Sequence, residues 1–168
     1  MSWKFIQTLF FVVVFVLVAS VAWAQKSFAP PPQVPYGLSI NLDTAKKVTA
    51  AAIAEGQKNN WKMAVAIVDP GGYLVYFEKM DGTQTGSVGL AIEKANTAAL
   101  FRRPTKLFQD GVAAGGEGLR LLRLTGAIPI DGGVPIVVDG KLIGAIGISG
   151  GAGEQDGQVA KAGAESVK

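Results

Sequence analysis

The chain has 168 residues, 49% of them hydrophobic and 17% charged, with a formal net charge of +3. That length predicts one domain, and the composition is globular rather than disordered. There is no Cys and no His, which excludes disulfides, zinc fingers, Cys nucleophiles, Ser-His-Asp triads and His-ligated metals. The net charge is too small for a nucleic-acid binder.

Residues 9–24 read LFFVVVFVLVASVAWA without a charge. The run is shorter than the roughly 20 apolar residues of a spanning helix, and Ala22-Trp23-Ala24 fits the small-x-small pattern of signal peptidase. The sequence therefore predicts a signal peptide over 1–24, cleaved after Ala24, and a periplasmic or secreted mature protein starting at Gln25. An uncleaved anchor is the alternative. No twin-Arg pair is present, so general secretion is the simpler route. Pro30, Pro31, Pro32 and Pro35 make residues 25–37 an extended tether, which leads into a single domain over 38–168.

A helix is expected to start at Asn41, with Asp43 in its first turn and an apolar stripe of Leu42, Ala45, Val48, Ala52 and Ile53. Asn59-Asn60 ends it. MAVAIVD (Met63–Asp69) and YLVYFEK (Tyr73–Lys79) flank Asp69-Pro70-Gly71-Gly72, the residues of a tight hairpin turn. The first of these strands is apolar on both faces, as in a central or helix-covered strand. A second helix spans about Gln84 to Phe101, with Val88, Ile92, Ala95 and Ala99 on one side, and Arg102-Arg103-Pro104 stops it. Thr105 to Ala114 reads as a short helix broken by Gly115-Gly116, whereas Leu119 to Leu124 alternates apolar and basic residues and has no clear assignment. A second hairpin pairs Val134–Val138 with Lys141–Ser149 through Asp139-Gly140, and a last helix starts near Glu154. The order helix, hairpin, helices, hairpin, helix predicts an α/β sandwich around an antiparallel sheet.

Several groups of residues carry chemistry. The stretch GISGGAGEQD opens a helix after a strand, where exposed N–H groups favour an anion; the plain alternative is a strand-to-helix turn, with Glu154 and Asp156 serving the helix dipole. Arg102, Arg103 and Lys106 form a basic patch beside Phe101 and Phe108. Such a mixture suits a ligand with anionic arms and a flat apolar body, or else it is a solvated helix end. Asp69, Glu78, Asp81, Asp131, Asp139 and Asp156 lie near turns, and five of them stand beside Gly or Pro, the ordinary use of Asp in turn chemistry. Lys94 stands alone in an Ala-rich helix, where a lysine is usually exposed unless it faces a cleft.

The segments VAIVDPGGYLVYFEKMDG, GLAIEKANTAALFRRPT and DGGVPIVVDGKLIGAIGISGGAGEQDGQVA together resemble the GlcG/HbpS family, and the similarity runs from about Leu38 to the C-terminus. The resemblance implies a profilin-like three-layer α/β domain whose central antiparallel sheet has about five strands flanked by helices. It also implies a homo-oligomer of dimers assembling to an octamer, and binding of haem, a related tetrapyrrole or a small metabolite. Members include extracellular haem-binding proteins, a protein of the glycolate utilisation operon and the C-terminal domain of the PduO adenosyltransferases. If the family's motif-bearing loops converge here, the ligand cleft comprises Lys94, Arg102, Arg103, Thr105, Lys106, Gly132, Gly133, Ser149, Gly150 and Gly151.

This chain departs from relatives that ligate haem through His. An axial ligand here would be Tyr, Met, Lys, Thr or a carboxylate, and Thr105, Met80 and Tyr76 qualify by residue type. Three classes follow: an exported carrier, buffer or sensor partner for haem or a similar cofactor; an enzyme or binding module for a small organic acid; and a structural or sensor-coupled oligomer. Catalysis without His or Cys would rest on Lys94, Asp69 or Asp156, which show no recognisable catalytic arrangement in the sequence.

Overall fold

The computed structural model describes residues 33–167; the signal expected at 1–24 and most of the tether lie outside the described residues. Helix α1 (Leu42–Lys58) starts where Asn41 Oδ1 accepts the Thr44 N–H at 2.8 Å, so one orphan donor of the first turn is satisfied. Strands β1 (Ala64–Val68) and β2 (Leu74–Lys79) form the first hairpin. Asp69 builds its turn, with Oδ1 accepting from Gly71 and Tyr73 N–H, while Gly72 takes φ +85. Helix α2 (Ser87–Phe101) and helix α3 (Lys106–Ala113) follow, and the unassigned stretch becomes a 3-10 helix over Gly116–Arg123. Strands β3 (Gly133–Val138) and β4 (Lys141–Ser149) turn at Asp139 and Gly140, both at positive φ, as a twisted two-residue hairpin loop requires. Helix α4 (Gly153–Glu165) completes the described chain.

The strands order as β2-β1-β4-β3, all antiparallel. Four strands form the sheet where about five were expected. A short segment takes the place of the fifth: Tyr36 bridges Leu142 in parallel, the Leu142 N–H bonds to the Pro35 carbonyl at 2.9 Å, and the Gly37 N–H bonds to the Leu142 carbonyl at 2.7 Å. Pro35 has no N–H to donate, so the pairing stops there.

β1 is central, and all five of its residues are buried. Its period-2 alternation divides the core by size. Val65 and Ile67, with Ile136, Ile146 and Ile148, face α1 and α4. Ala64, Ala66 and Val68, with Ala145, face Ala91, Ala95, Ala98 and Ala99 of α2. This buried stripe of α2 includes Lys94 in place of the expected Val88, which is only half-buried. The shift follows from close approach, because small side chains let α2 lie almost on the sheet backbone. Likewise Leu42, expected inward on α1, is 48% exposed, and Thr49 and Gly56 take inner positions. No helix among the described residues is long and apolar enough to cross a membrane.

Gly147 marks the closest approach. A Cβ there would collide with the Ala91 carbonyl and lie 2.5 Å from the Ala95 nitrogen. Gly147→Ala should therefore destabilise the domain by about 1–3 kcal/mol. Urea unfolding measures this, and an unchanged midpoint would show that α2 does not sit so close to β4.

Candidate functional site

Lys94 projects from α2 past the end of β4 and is fully buried, contrary to the usual exposure of a helical lysine. Its Nζ pairs with Asp156 Oδ2 at 2.7 Å and donates to the Ile148 carbonyl at 3.0 Å. Asp156 lies in the first turn of α4, and its Oδ1 accepts the Gly151 N–H at 2.9 Å. Asp156 therefore pairs across layers in addition to meeting the dipole of its own helix. Burial pushes its carboxyl up, against the pull of the Lys94 and Gly151 hydrogen bonds. Two glycines make room for the lysine. A Cβ on Gly132 (φ +121) would lie 2.9 Å from Lys94 Nζ and 2.7 Å from the Ile148 oxygen, and one on Gly133 would strike the Lys94 carbonyl.

Asp131 precedes these glycines and is 93% buried, being 7% exposed. Its carboxylate fits a notch on α4 formed by Gly153 and Gly157, four residues apart and so on one helix face; a Cβ on Gly157 would lie 2.6 Å from Oδ2. Asp131 Oδ1 accepts the Gly132 N–H at 2.7 Å, and the Asp131 N–H bonds to Gln109 Oε1 of α3 at 2.9 Å. Burial raises the Asp131 pKa, opposed by the Gly132 N–H and by the charges of Lys106 and Lys94.

The turn between α2 and α3 carries the basic patch. Arg102 ends α2 in the left-handed region, φ +52. Its guanidinium lies 4.8 Å over the Tyr36 ring and donates to the Val34 carbonyl and to Gln33 Oε1. Arg103 lies 5.6 Å over the Phe108 ring and its Nε donates to the Phe101 carbonyl at 3.1 Å; Phe101 and Phe108 meet edge to face at 5.3 Å. Lys106 pairs with Asp110 one helical turn on. Thr105 stands at the N-cap of α3 but makes no cap bond there. Its buried hydroxyl accepts the Gly133 N–H at 2.8 Å instead.

The residues singled out from sequence thus fall into two groups. Lys94, Thr105, Gly132, Gly133 and Gly151 meet in one buried ionic centre; Ser149 follows Ile148, whose carbonyl Lys94 bonds, and its own hydroxyl donates to Ser87 Oγ at 3.1 Å. Gly150 backs onto the Lys62 carbonyl. Arg102 and Arg103 do not enter that centre; they stack on aromatic rings, and Lys106 joins the acids at its mouth. Asp69 is a turn residue. An open groove of about 520 Å³ runs along Glu93, Asn96 and Leu100 of α2 under Ala127 and Ile128. Sequence reading missed Asp131 as more than a turn residue, Gln109, Tyr36, and Asp156 as the partner of Lys94. The Gly153/Gly157 spacing was the one local signal.

Two outcomes test this electrostatic arrangement. Lys94→Met leaves Asp156 buried without compensation and should cost about 3–5 kcal/mol, whereas Lys94→Met with Asp156→Leu should recover most of it. Chemical denaturation distinguishes the two, and equal losses would refute the coupling. An aspartate whose folded pKa is raised holds more protons folded than unfolded. Its contribution to stability is therefore lost as pH rises from the ordinary value near 4 through the raised one. Asp131→Asn removes its share of that slope, so the variant should gain stability relative to the parent as pH rises from about 4 to 7. Denaturation midpoints that stay parallel across this range would contradict the assignment.

Comparison with known proteins places this geometry. The family described as "Haem degrading protein HbpS-like" matches residues 40–165. Protein GlcG of Escherichia coli K12 is 44% identical over 110 residues, covering 66% of this chain and 81% of that protein. A crystal structure of Streptomyces reticuli HbpS, an E78D, E81D double mutant in its own numbering, superposes with a TM-score of 0.71 at 28% identity, covering 83% of this chain and 94% of that one. The haem complex of PduOC superposes with a TM-score of 0.69 at 28% identity, covering 78% and 96%. The matched family, the relatives and the three-layer fold around an antiparallel sheet agree: this chain belongs to the HbpS-like family, the GlcG/HbpS group that its motifs resemble.

Proposed function

We propose that the mature protein is an exported carrier or buffer for haem or a related tetrapyrrole. The observation that carries the reading is the cation and aromatic edge at the end of α2, where Arg102 and Arg103 lie over Tyr36 and Phe108. Only Nε of Arg103 has a partner among the described residues, so its terminal nitrogens remain available for an anion. A charge-assisted hydrogen bond from them contributes about 1.5–3 kcal/mol when well formed. The PduOC relative, solved with haem, supports the same class of ligand.

A haem needs apolar walls, cations for its carboxylates and a donor for its iron. Walls and cations are present: grooves of about 520 Å³ flank this edge, within the usual size of a ligand cleft. The donors nominated by residue type fit poorly. Thr105 is buried with its hydroxyl engaged by Gly133. Tyr76 donates to Glu78 on the opposite edge strand, β2. Met80 follows that strand, with its sulfur 3.4 Å from the Met63 N–H.

A second reading, a small organic acid as ligand, is favoured by Asp131. Its carboxylate is too deeply set for a macrocycle but suits a small hydrogen-bond donor with an anionic group for Lys106. Export and assembly into dimers and octamers belong to the proposal as well. They are supported by the apolar run ending in Ala22-Trp23-Ala24 and by the small residues of the helices. Mass spectrometry of exported protein should find Gln25 first, and light scattering should exclude a monomer at micromolar concentration.

The ligand is tested by haemin titration followed by absorbance. Binding should saturate near one haem per protomer or per dimer. Arg102→Ala with Arg103→Ala should weaken it about tenfold or more, while Lys161→Ala on exposed α4 surface should leave it unchanged. Non-saturable uptake that ignores these substitutions would remove the tetrapyrrole reading and leave the small-acid one.

A further inference from the structure

We propose that Tyr36 supplies the axial oxygen ligand of a ferric tetrapyrrole, in the groove that its ring shares with Leu38, Val138, Ile143 and Lys141. The inference rests on the carrier reading above and adds the residue and the place. The groove measures about 520 Å³. Leu38 is 88% exposed and Tyr36 49% exposed, so apolar and aromatic surface stands uncovered at one spot, as a flat apolar ligand requires. Lys141 on the lining and Arg102 above the Tyr36 ring are cations suited to a tetrapyrrole's anionic arms. Asp139, the acid on the lining, belongs to the β3–β4 turn.

The phenol is placed and available. Hydrogen bonds from both sides of Leu142 hold the backbone of Pro35 and Gly37, so Tyr36 is fixed before any ligand arrives. Its hydroxyl donates to the Leu100 carbonyl at 3.3 Å, longer than the usual 2.7–2.8 Å of such a bond. That oxygen gives up little by turning to another partner. The Arg102 guanidinium, 4.8 Å from the ring centre, supplies the counter-charge a ligating phenolate needs. Tyrosine is an established axial ligand of haem iron. Thr105, Tyr76 and Met80 are buried, engaged or on the far side of the sheet, whereas Tyr36 lines the groove and is half-exposed. On ligation the phenol O–H bond breaks as the oxygen–iron bond forms; the proton goes to solvent and the iron stays ferric.

The test compares the mature protein with Tyr36→Phe, which keeps the ring, its stacking on Arg102 and the backbone contacts. Each is titrated with haemin and with metal-free protoporphyrin. The wild type should show the visible charge-transfer band of a ferric phenolate. Tyr36→Phe should lose that band and bind haemin at least tenfold more weakly, with metal-free protoporphyrin bound equally by both proteins. Saturable haemin binding without the band, or a variant that keeps band and affinity, overturns the ligand assignment and leaves the carrier reading standing. Equal weakening toward both ligands also overturns it, because the hydroxyl would then position the ring rather than meet the metal. Saturation by neither ligand overturns both readings.

Discussion

A lysine ammonium buried inside a protein of this size imposes its own requirements on the surrounding fold. Lys94 starts on the α2 side of the sheet, and its charge is compensated by Asp156 at the start of α4, on the other side. One ion pair therefore links the two helical layers around the end of the sheet. The chain between must yield space, which is why Gly132 and Gly133 stand where a Cβ would strike the lysine. Gly151 completes the arrangement through its N–H to the second carboxylate oxygen. A buried pair of this kind adds little net stability, because desolvation offsets most of the attraction. Its effect is on which arrangement forms, since a displaced α4 would leave either charge unpaired.

The sheet's unequal faces determine where the α2–α3 turn emerges. Isoleucines and valines on one face fill the wide space under α1 and α4, while alanines and Gly147 on the other let α2 approach the backbone closely. α2 then ends at Arg102, whose left-handed conformation turns the chain at Pro104. Arg102 reaches back to the entering strand at Tyr36, and Thr105 reaches forward to Gly133. A four-residue turn, Arg102 to Thr105, thus separates an exposed, aromatic and cationic edge from a buried ionic centre.

That separation clarifies the chemistry. The ionic centre has the residues of an acid–base site, yet Lys94 is sealed and Asp156 is committed to it, so it acts first as architecture. Asp131, in its glycine notch, lies at the mouth of that centre with the charge of Lys106 near it. The exposed edge has the features of recognition: a half-exposed phenol, stacked guanidinium groups and open apolar grooves. A chain without His or Cys has oxygen, amine and thioether groups as its side-chain donors.

Local physics made most of the elements legible in the sequence. Asn41 as a cap, Asp69-Pro70-Gly71-Gly72 and Asp139-Gly140 as turns, and the doubly apolar β1 each act through neighbours within a few residues. The order of elements followed from them, and the motifs identified the family. Distance along the chain hid the rest. Lys94 reads as a surface lysine because its partner lies 62 residues away, and Asp131 reads as a turn residue because its notch belongs to α4. Arg102 and Arg103 are adjacent in sequence, yet they stack on Tyr36 and Phe108 from different elements. Composition determined which ligands were excluded. Only the tertiary structure decided which charges are buried and paired and which face solvent, because burial depends on what the rest of the chain places alongside.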